Sequence, residues 1–248
     1  MNAITTDIST THLLHGRIQN LRKTRLNHDF FFDAADRAKM GATAIAAGLA
    51  GLGGIATGLS GMAMYTTEEA DLLEFDLDGK SVRAWVWQSV FDEGDDVEVV
   101  AERIGDIWQG YGVRRTSDNI VALHPHCSRG RRAHYKAAVS WGLKIGLGLI
   151  IIVNLISAIM AVFQSINNWH AIFLMWILGG RGGVLIAVLI SLRIAARMMG
   201  FVRLAEAIFD GFGWTDIKNI DLPAITKKNK RPGDPAALGV LYFRYLSD

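Results

Sequence analysis

Four side chains in the stretch "HPHCSRGRRAHYK" (124–136) are of types that do chemistry: His124, His126, Cys127 and His134. A structural zinc site draws its ligands from paired Cys/His spacings. Such pairs are missing here, and no carboxylate lies within the stretch. A phosphatase loop would need an arginine six residues after the cysteine, where Ala133 stands, and no Gly-rich cradle accompanies it. A thiol nucleophile needs a lowered pKa and a base with an orienting group. Cations surround Cys127, but neither partner can be named. The remaining reading is a turn at Pro125 followed by a basic collar, in which Arg129, Arg131, Arg132 and Lys136 contact lipid phosphates. With no carboxylate pair, phosphate loop or complete triad, the expectation is a non-enzyme without cofactor or metal.

The elements around this stretch are unevenly apolar. Half of the 248 residues are hydrophobic and 20% are charged, and the net charge of +2 is too small to argue for nucleic acid as a partner. The apolar residues are concentrated in three blocks, the pattern of a membrane protein. A single cysteine cannot form an intramolecular disulfide. Residues 1–39 are polar and carry Arg17, Arg22, Lys23, Arg25, Arg37 and Lys39, with no apolar region of a secretory signal. The chain is therefore expected to enter a membrane through internal segments, or to leave its cell without a signal.

The first block lies within 40–65 and reads "GATAIAAGLAGLGGIATGLSGMAM" from 41 to 64. It is long enough to span a bilayer. Ala42, Ala46, Ala50, Gly54 and Gly58 form a small-residue stripe, with Gly54 and Gly58 as a GxxxG pair. It reads either as a weakly hydrophobic helix packed on its neighbours or as a surface for self-association. The other two blocks fall within 141–192. "IGLGLIIIVNLISAIMAVF" (145–163) is flanked by Trp141 and Trp169 as interfacial anchors, and Asn154 is its one strongly polar interior residue. "AIFLMWILGGRGGVLIAVLISL" (171–192) is divided by Arg181 between Gly179-Gly180 and Gly182-Gly183. The two together predict a transmembrane helical hairpin. A charge at bilayer depth needs a partner or a cavity, and the glycines predict a helix break that makes room for it.

Lys and Arg favour the cytoplasmic side of short loops. Arg129, Arg131, Arg132, Lys136 and Lys144 precede the hairpin, and Arg193, Arg197 and Arg203 follow it. Both ends of the hairpin thus point inward. The first block breaks this pattern, because a single crossing would put the basic N-terminal region outside. Whether 41–64 spans the bilayer is left open.

Residues 66–136 change character. "LEFDLDGKSVRAWVW" alternates around Asp78-Gly79, a primed hairpin turn between strands. "DVEVVAERI", "WQGYGVRR" and "NIVALH" follow at short spacing, which predicts a small OB- or SH3-like barrel. In the last region, 193–248, "FVRLAEAIFDGF" is an amphipathic helix with Phe201, Leu204, Ala205, Ile208 and Phe212 on one face and Arg203, Glu206 and Asp210 on the other. "TKKNKRPGDP" is a basic loop, and "LGVLYFRY" adds a strand to the sheet. The expected fold is a membrane α-helical one, a Gly/Ala-rich apolar helix plus the hairpin, with a small all-β barrel-like domain inserted.

The run "DEGDDVEVVAERIG", followed by "YGVRR", "NIVALHPHCSRGRRAHY" and the closing "KKNKRPGDP…LYFRY", resembles a family of bacterial membrane proteins known as type VI secretion system effectors. The likeness covers most of the chain from about residue 70 onward, and "PHCSRGR.AHY" is its most specific part. It implies a context rather than a chemistry, and brings no catalytic residues with it. The expected location is a bacterial inner membrane crossed several times, with export into a target cell. The partners implied are the lipid bilayer, further copies of the chain, and a secretion-system or immunity protein. One function is an effector that oligomerises and perturbs the membrane, with Arg181 in a wet lumen. The alternative is a resident scaffold or immunity protein that presents the barrel to a partner.

Overall fold

The computed structural model describes residues 11–29, 67–164 and 169–246. The Gly/Ala-rich block, with Gly54 and Gly58, lies outside the described residues. The chain divides into two compact units, Met1–His126 with Leu222–Asp248, and Cys127–Asp221.

Among the described residues, the first unit contains a sheet of seven strands: β1 (His12–Asp29), β2 (Thr67–Leu77), β3 (Lys80–Val86), β4 (Asp96–Ile104), β5 (Ile107–Arg115), β6 (Ile120–Leu123) and β7 (Phe243–Arg244). The β2–β3 turn has Asp78 at φ 49 and Gly79 at φ 77, the left-handed pair that a primed two-residue turn requires. β1 changes partner along its length. Its first part, His12 to Arg17, pairs with β4, and from Ile18 onward it pairs with β2. A bulge between Gln19 and Arg22, with Asn20 at φ 55, provides the bend. Parallel pairing of β3 with β5 then closes the sheet. Gly110 permits that closure, since a Cβ there would stand 3.0 Å from the Ala84 Cβ. The closed order is β1-β2-β3-β5-β4 and back to β1, the topology of an OB-type barrel. β6 and β7 extend it beyond β5, and α4 (Leu222–Lys228; α1–α3 are described below) packs beside β7 through Thr226, whose hydroxyl accepts the Arg244 N–H at 3.0 Å. Leu14, Ile18, Leu73, Phe75, Val82, Phe91, Val99 and Val113 are among the residues that fill the core.

The second unit is helical. It contains α1 (Arg131–Gln164), α2 (Trp169–Arg197) and α3 (Met199–Gly211), and the axis turns by 58° between Arg197 and Met199. In α3 the buried residues are Val202, Ala205, Glu206, Ala207, Ile208 and Phe209. The buried face therefore includes Glu206, which periodicity assigns to the polar side.

These observations correct the expected fold class. The barrel is not a small domain inserted into a membrane α-helical fold. It draws β1 from the basic N-terminal region and β7 from the C-terminal one, so it is the frame, and residues 127–221 are the excursion from it. Among the described residues one helix, α1, is by itself long and apolar enough to cross a membrane. The basic N-terminal region hides β1 because most of its described residues are exposed and several of these are basic. Arg17, Arg22 and Arg25 obscure the inward Leu14 and Ile18.

Candidate functional site

Residues of the "PHCSRGRRAHY" stretch divide between the two units, and several of them make specific contacts within their own unit. In the barrel unit, His126 takes a left-handed φ of 66. Its Nε2 lies 2.8 Å from Glu68 Oε2, and its ring meets Trp87 edge-on at 5.0 Å. His124 stands beside Tyr111, whose hydroxyl donates to Glu102 at 3.1 Å. Burial and the nearby Glu102 carboxylate push that phenol up to about 12, which removes it from proton transfer near neutrality.

In the helical unit, Cys127 is fully buried, and burial pushes its thiol far above the ordinary range. A protonated, inaccessible thiol is not a nucleophile. His134 Nε2 lies 3.2 Å from the Ala195 carbonyl oxygen. Among the described residues no three His, Cys, Asp or Glu side chains come together to hold a metal ion.

The arginines after Cys127 secure the start of α1. An α-helix begins with N–H groups that lack intrahelical partners. Here Arg131 N donates to Glu206 Oε1 at 2.8 Å, and Arg132 and Ala133 both donate to the Lys218 carbonyl at 2.9 and 3.3 Å. Gly130 N donates to the Ile220 carbonyl at 2.9 Å. Only glycine fits at 130, because a Cβ there would overlap the Ile217 carbonyl oxygen and crowd the Lys218 carbonyl carbon at 2.8 Å. The Arg131 guanidinium grips the same Glu206 carboxylate from Nε and Nη2, at 2.9 and 2.5 Å. Arg129 Nε pairs with Asp221 Oδ1 at 3.1 Å. Two of the four collar residues, Arg129 and Arg131, thus hold carboxylates of their own unit, whereas Arg132 and Lys136 are exposed.

Along the arm, α1 and α2 run antiparallel and close. A Cβ on Gly142 would stand 2.8 Å from Val188 Cα, and one on Gly146 would stand 2.8 Å from Val184 Cα. Gly142 and Gly146 form a GxxxG pair that lets the two backbones approach. Its signal, "GLKIG", is legible in the sequence, but the longer Gly/Ala stripe of the first block obscures it. The outward faces carry Leu143, Ile145, Ile151, Leu155 and Ile159 from α1, and Leu185, Leu189 and Ile194 from α2, all exposed. Lys144 Nζ lies 5.3 Å from the centroid of the Trp141 ring, so a cation and an indole mark the boundary between the polar and apolar parts of α1. Asn154 donates to the Ile150 carbonyl within its own helix at 2.8 Å. Among the described residues its Oδ1 is buried and meets no donor.

Arg181 and its glycines lie in uninterrupted helix. α2 is continuous from Trp169 to Arg197, and the bend occurs after Arg197, not at Gly179, Gly180, Gly182 or Gly183. The expected break is absent because glycine lowers helix stability by only about 1 kcal/mol. Around Gly182 and Gly183 the space where a Cβ would stand is open. Continued from the Gly146–Val184 contact, the register sets the Arg181 backbone level with Leu149. That is five residues, about 8 Å along the axis, from Lys144.

The barrel has a groove of its own, about 710 Å³, between the β1 bulge, β2, β3 and the start of β5. Phe75 and Val82 line it, with Arg22, Arg83, Glu74, Asp76 and Glu93 around them. Glu93 is committed to structure, since its two oxygens accept the N–H groups of Asn20 and Leu21 at 2.9 and 2.8 Å. Among the described residues the groove offers charges of both signs and no arranged acid–base pair. Comparison with known proteins finds no matching family model, no similar curated protein and no similar solved structure.

Proposed function

We propose that this chain is a membrane-tethered binding module, in which α1 and the α2 packed against it lie in a lipid bilayer and tether an OB-type barrel in the water phase. The observation that carries the reading is the bareness of α1. Ile151 is 67% exposed and Leu155 61%, in the middle of a 34-residue helix without a carboxylate. At 1.5 Å per residue such a helix is about 51 Å long, more than the roughly 30 Å of a hydrocarbon core. Water-soluble domains rarely leave an apolar patch of this extent uncovered. The barrel, with its filled core and open mixed-charge groove, is the part that would meet a partner. This is the resident-scaffold or immunity reading of the sequence, with a bacterial inner membrane as the location it proposes.

The test is expression in bacteria followed by carbonate washing of the membranes. Retention in the washed pellet, with normal growth and a steady membrane potential, is the expected result. Release of the chain into the wash as a monodisperse soluble protein would end the reading.

A second reading is favoured by one feature, the extent of α1 that α2 leaves uncovered. There a second copy could pack, as in an oligomerising type VI effector that perturbs the membrane. Rapid loss of potential on modest expression, reported by a voltage-sensitive dye, is its signature.

A further inference from the structure

We propose that Arg132, Lys136, Arg193 and Arg197 form one belt around the α1–α2 pair that binds the phosphates of anionic phospholipids. The proposal rests on the membrane reading above and adds the lipid class and the residues.

Three contacts fix the register of the two helices. His134 reaches the carbonyl of Ala195, Gly142 faces Val188, and Gly146 faces Val184. Each step forward along α1 is thus matched by one step back along α2. Lys136 then stands at the level of Arg193. Arg132 stands at the level of Arg197, one turn or about 6 Å further from the apolar part. All four side chains are exposed. From 131 to 197 the sequence has no Asp or Glu at all. Two carboxylates of the same unit, Glu206 and Asp221, are occupied by Arg131 and Arg129. Four cations therefore share two adjacent levels, without an ion pair to a carboxylate among the described residues, before the Trp141–Lys144 boundary of the apolar surface. A soluble acidic partner has no need of that continuity with apolar surface, whereas a phospholipid does, since its phosphate and its acyl chains are covalently joined. Each basic side chain near an anionic surface strengthens attraction to it, roughly fivefold in binding constant.

The test uses the full chain reconstituted in phosphatidylcholine vesicles containing phosphatidylglycerol, with spin-labelled lipids of both headgroups. The expected result is at least an approximately fivefold preference of the protein-bound lipid shell for phosphatidylglycerol. The double variant Arg193→Gln/Arg197→Gln should bring the preference towards one. Lys227→Gln/Lys228→Gln, which removes the same charge from exposed positions in α4, should leave it unchanged. An inserted chain with equal affinity for both headgroups would overturn the belt and leave the membrane reading intact. A chain that washes off the vesicles would sink the membrane reading and the belt with it. Retention of a single-stranded oligonucleotide by the detergent-solubilised chain, lost in the Arg193/Arg197 variant, would reassign the cations to nucleic acid and also overturn the proposal.

Discussion

Asp29 and Thr67 are register partners at the open end of the β1–β2 ladder. Directly opposed residues in such a ladder lie about 5 Å apart, so the chain leaves the barrel and rejoins it at one place. On the membrane reading proposed above, Asp29 and Thr67 are therefore expected to face the same compartment; the run 41–64 between them lies outside the described residues. The check is impermeant thiol labelling of Asn27→Cys and Glu69→Cys, which are also partners and both exposed. Both should react from the same side of the membrane. Reaction from opposite sides would show that the β1–β2 pairing does not form.

How much of this fold can be read from the chain depends on what each strand faces. β2 and β3 are legible because Asp78-Gly79 marks their turn and the alternation on both sides is clear. β7 is legible as a strand for the sheet. β1 is hidden, since its 18 residues run through a bulge that shifts the alternation and several of its exposed positions are basic. Missing β1 reverses the relation of frame and excursion, which is why the apolar blocks alone lead to a helical membrane fold.

The helix pair depends on two glycines for its spacing. Gly146→Leu places a side chain where Val184 Cα allows no Cβ, and overpacking of this kind costs about 1–3 kcal/mol. Gly148→Ala meets nothing within 4 Å and is expected to be neutral or to gain up to about 1 kcal/mol from helix propensity. Thermal unfolding in detergent, followed by circular dichroism, compares the two. Equal effects would mean that the register described for α1 and α2 is wrong.

Burial of Cys127 has a consequence in alkali. Its thiol titrates well above its ordinary value because the thiolate is desolvated. The unfolded chain releases this proton near pH 8.5–9, whereas the folded chain keeps it. Unfolding therefore becomes easier as pH rises past 9, with the folded state binding the extra proton. Denaturant midpoints of the wild type should fall between pH 8 and 10 more steeply than those of Cys127→Ala. A thiol reagent at pH 8 should react with the native chain only at the rate of unfolding.

Acid acts in the barrel unit, on Asp234. Asp234 accepts from Arg244 Nη1 and Nη2 at 2.8 and 3.1 Å and from the Arg231 N–H at 2.7 Å. The Arg244 guanidinium, with that N–H, holds the carboxyl at about 2. A depressed folded-state pKa gives stability that is present above the unfolded value near 3.9 and is lost as pH falls through about 2. Asp234→Asn should therefore be less stable than the wild type at neutral pH, and the two should converge below pH 2. A constant difference across that range in acid titrations would dismiss the ion pair as the cause.

The site is less legible than the fold, and Arg131 shows why. In sequence it is one of a run of cations beside an apolar segment, for which lipid phosphate is the natural partner. In the structure Glu206 is its partner, 75 residues later. Periodicity had assigned that glutamate to solvent, so neither half of the pair advertises the other. The two halves are unequal, since the Arg131 side chain is 49% exposed and that of Glu206 only 7%. Arg131→Met would leave a buried carboxylate without its cation, whereas Glu206→Gln would leave an arginine that water can still reach and an amide oxygen that can still accept the Arg131 N–H. Removing the partner of the more buried charge is the costlier change, so Arg131→Met should lower the unfolding midpoint more than Glu206→Gln. The double variant should recover part of the difference. Equal losses, adding in full in the double variant, would mean that the start of α1 is held by the Lys218 and Ile220 carbonyls alone.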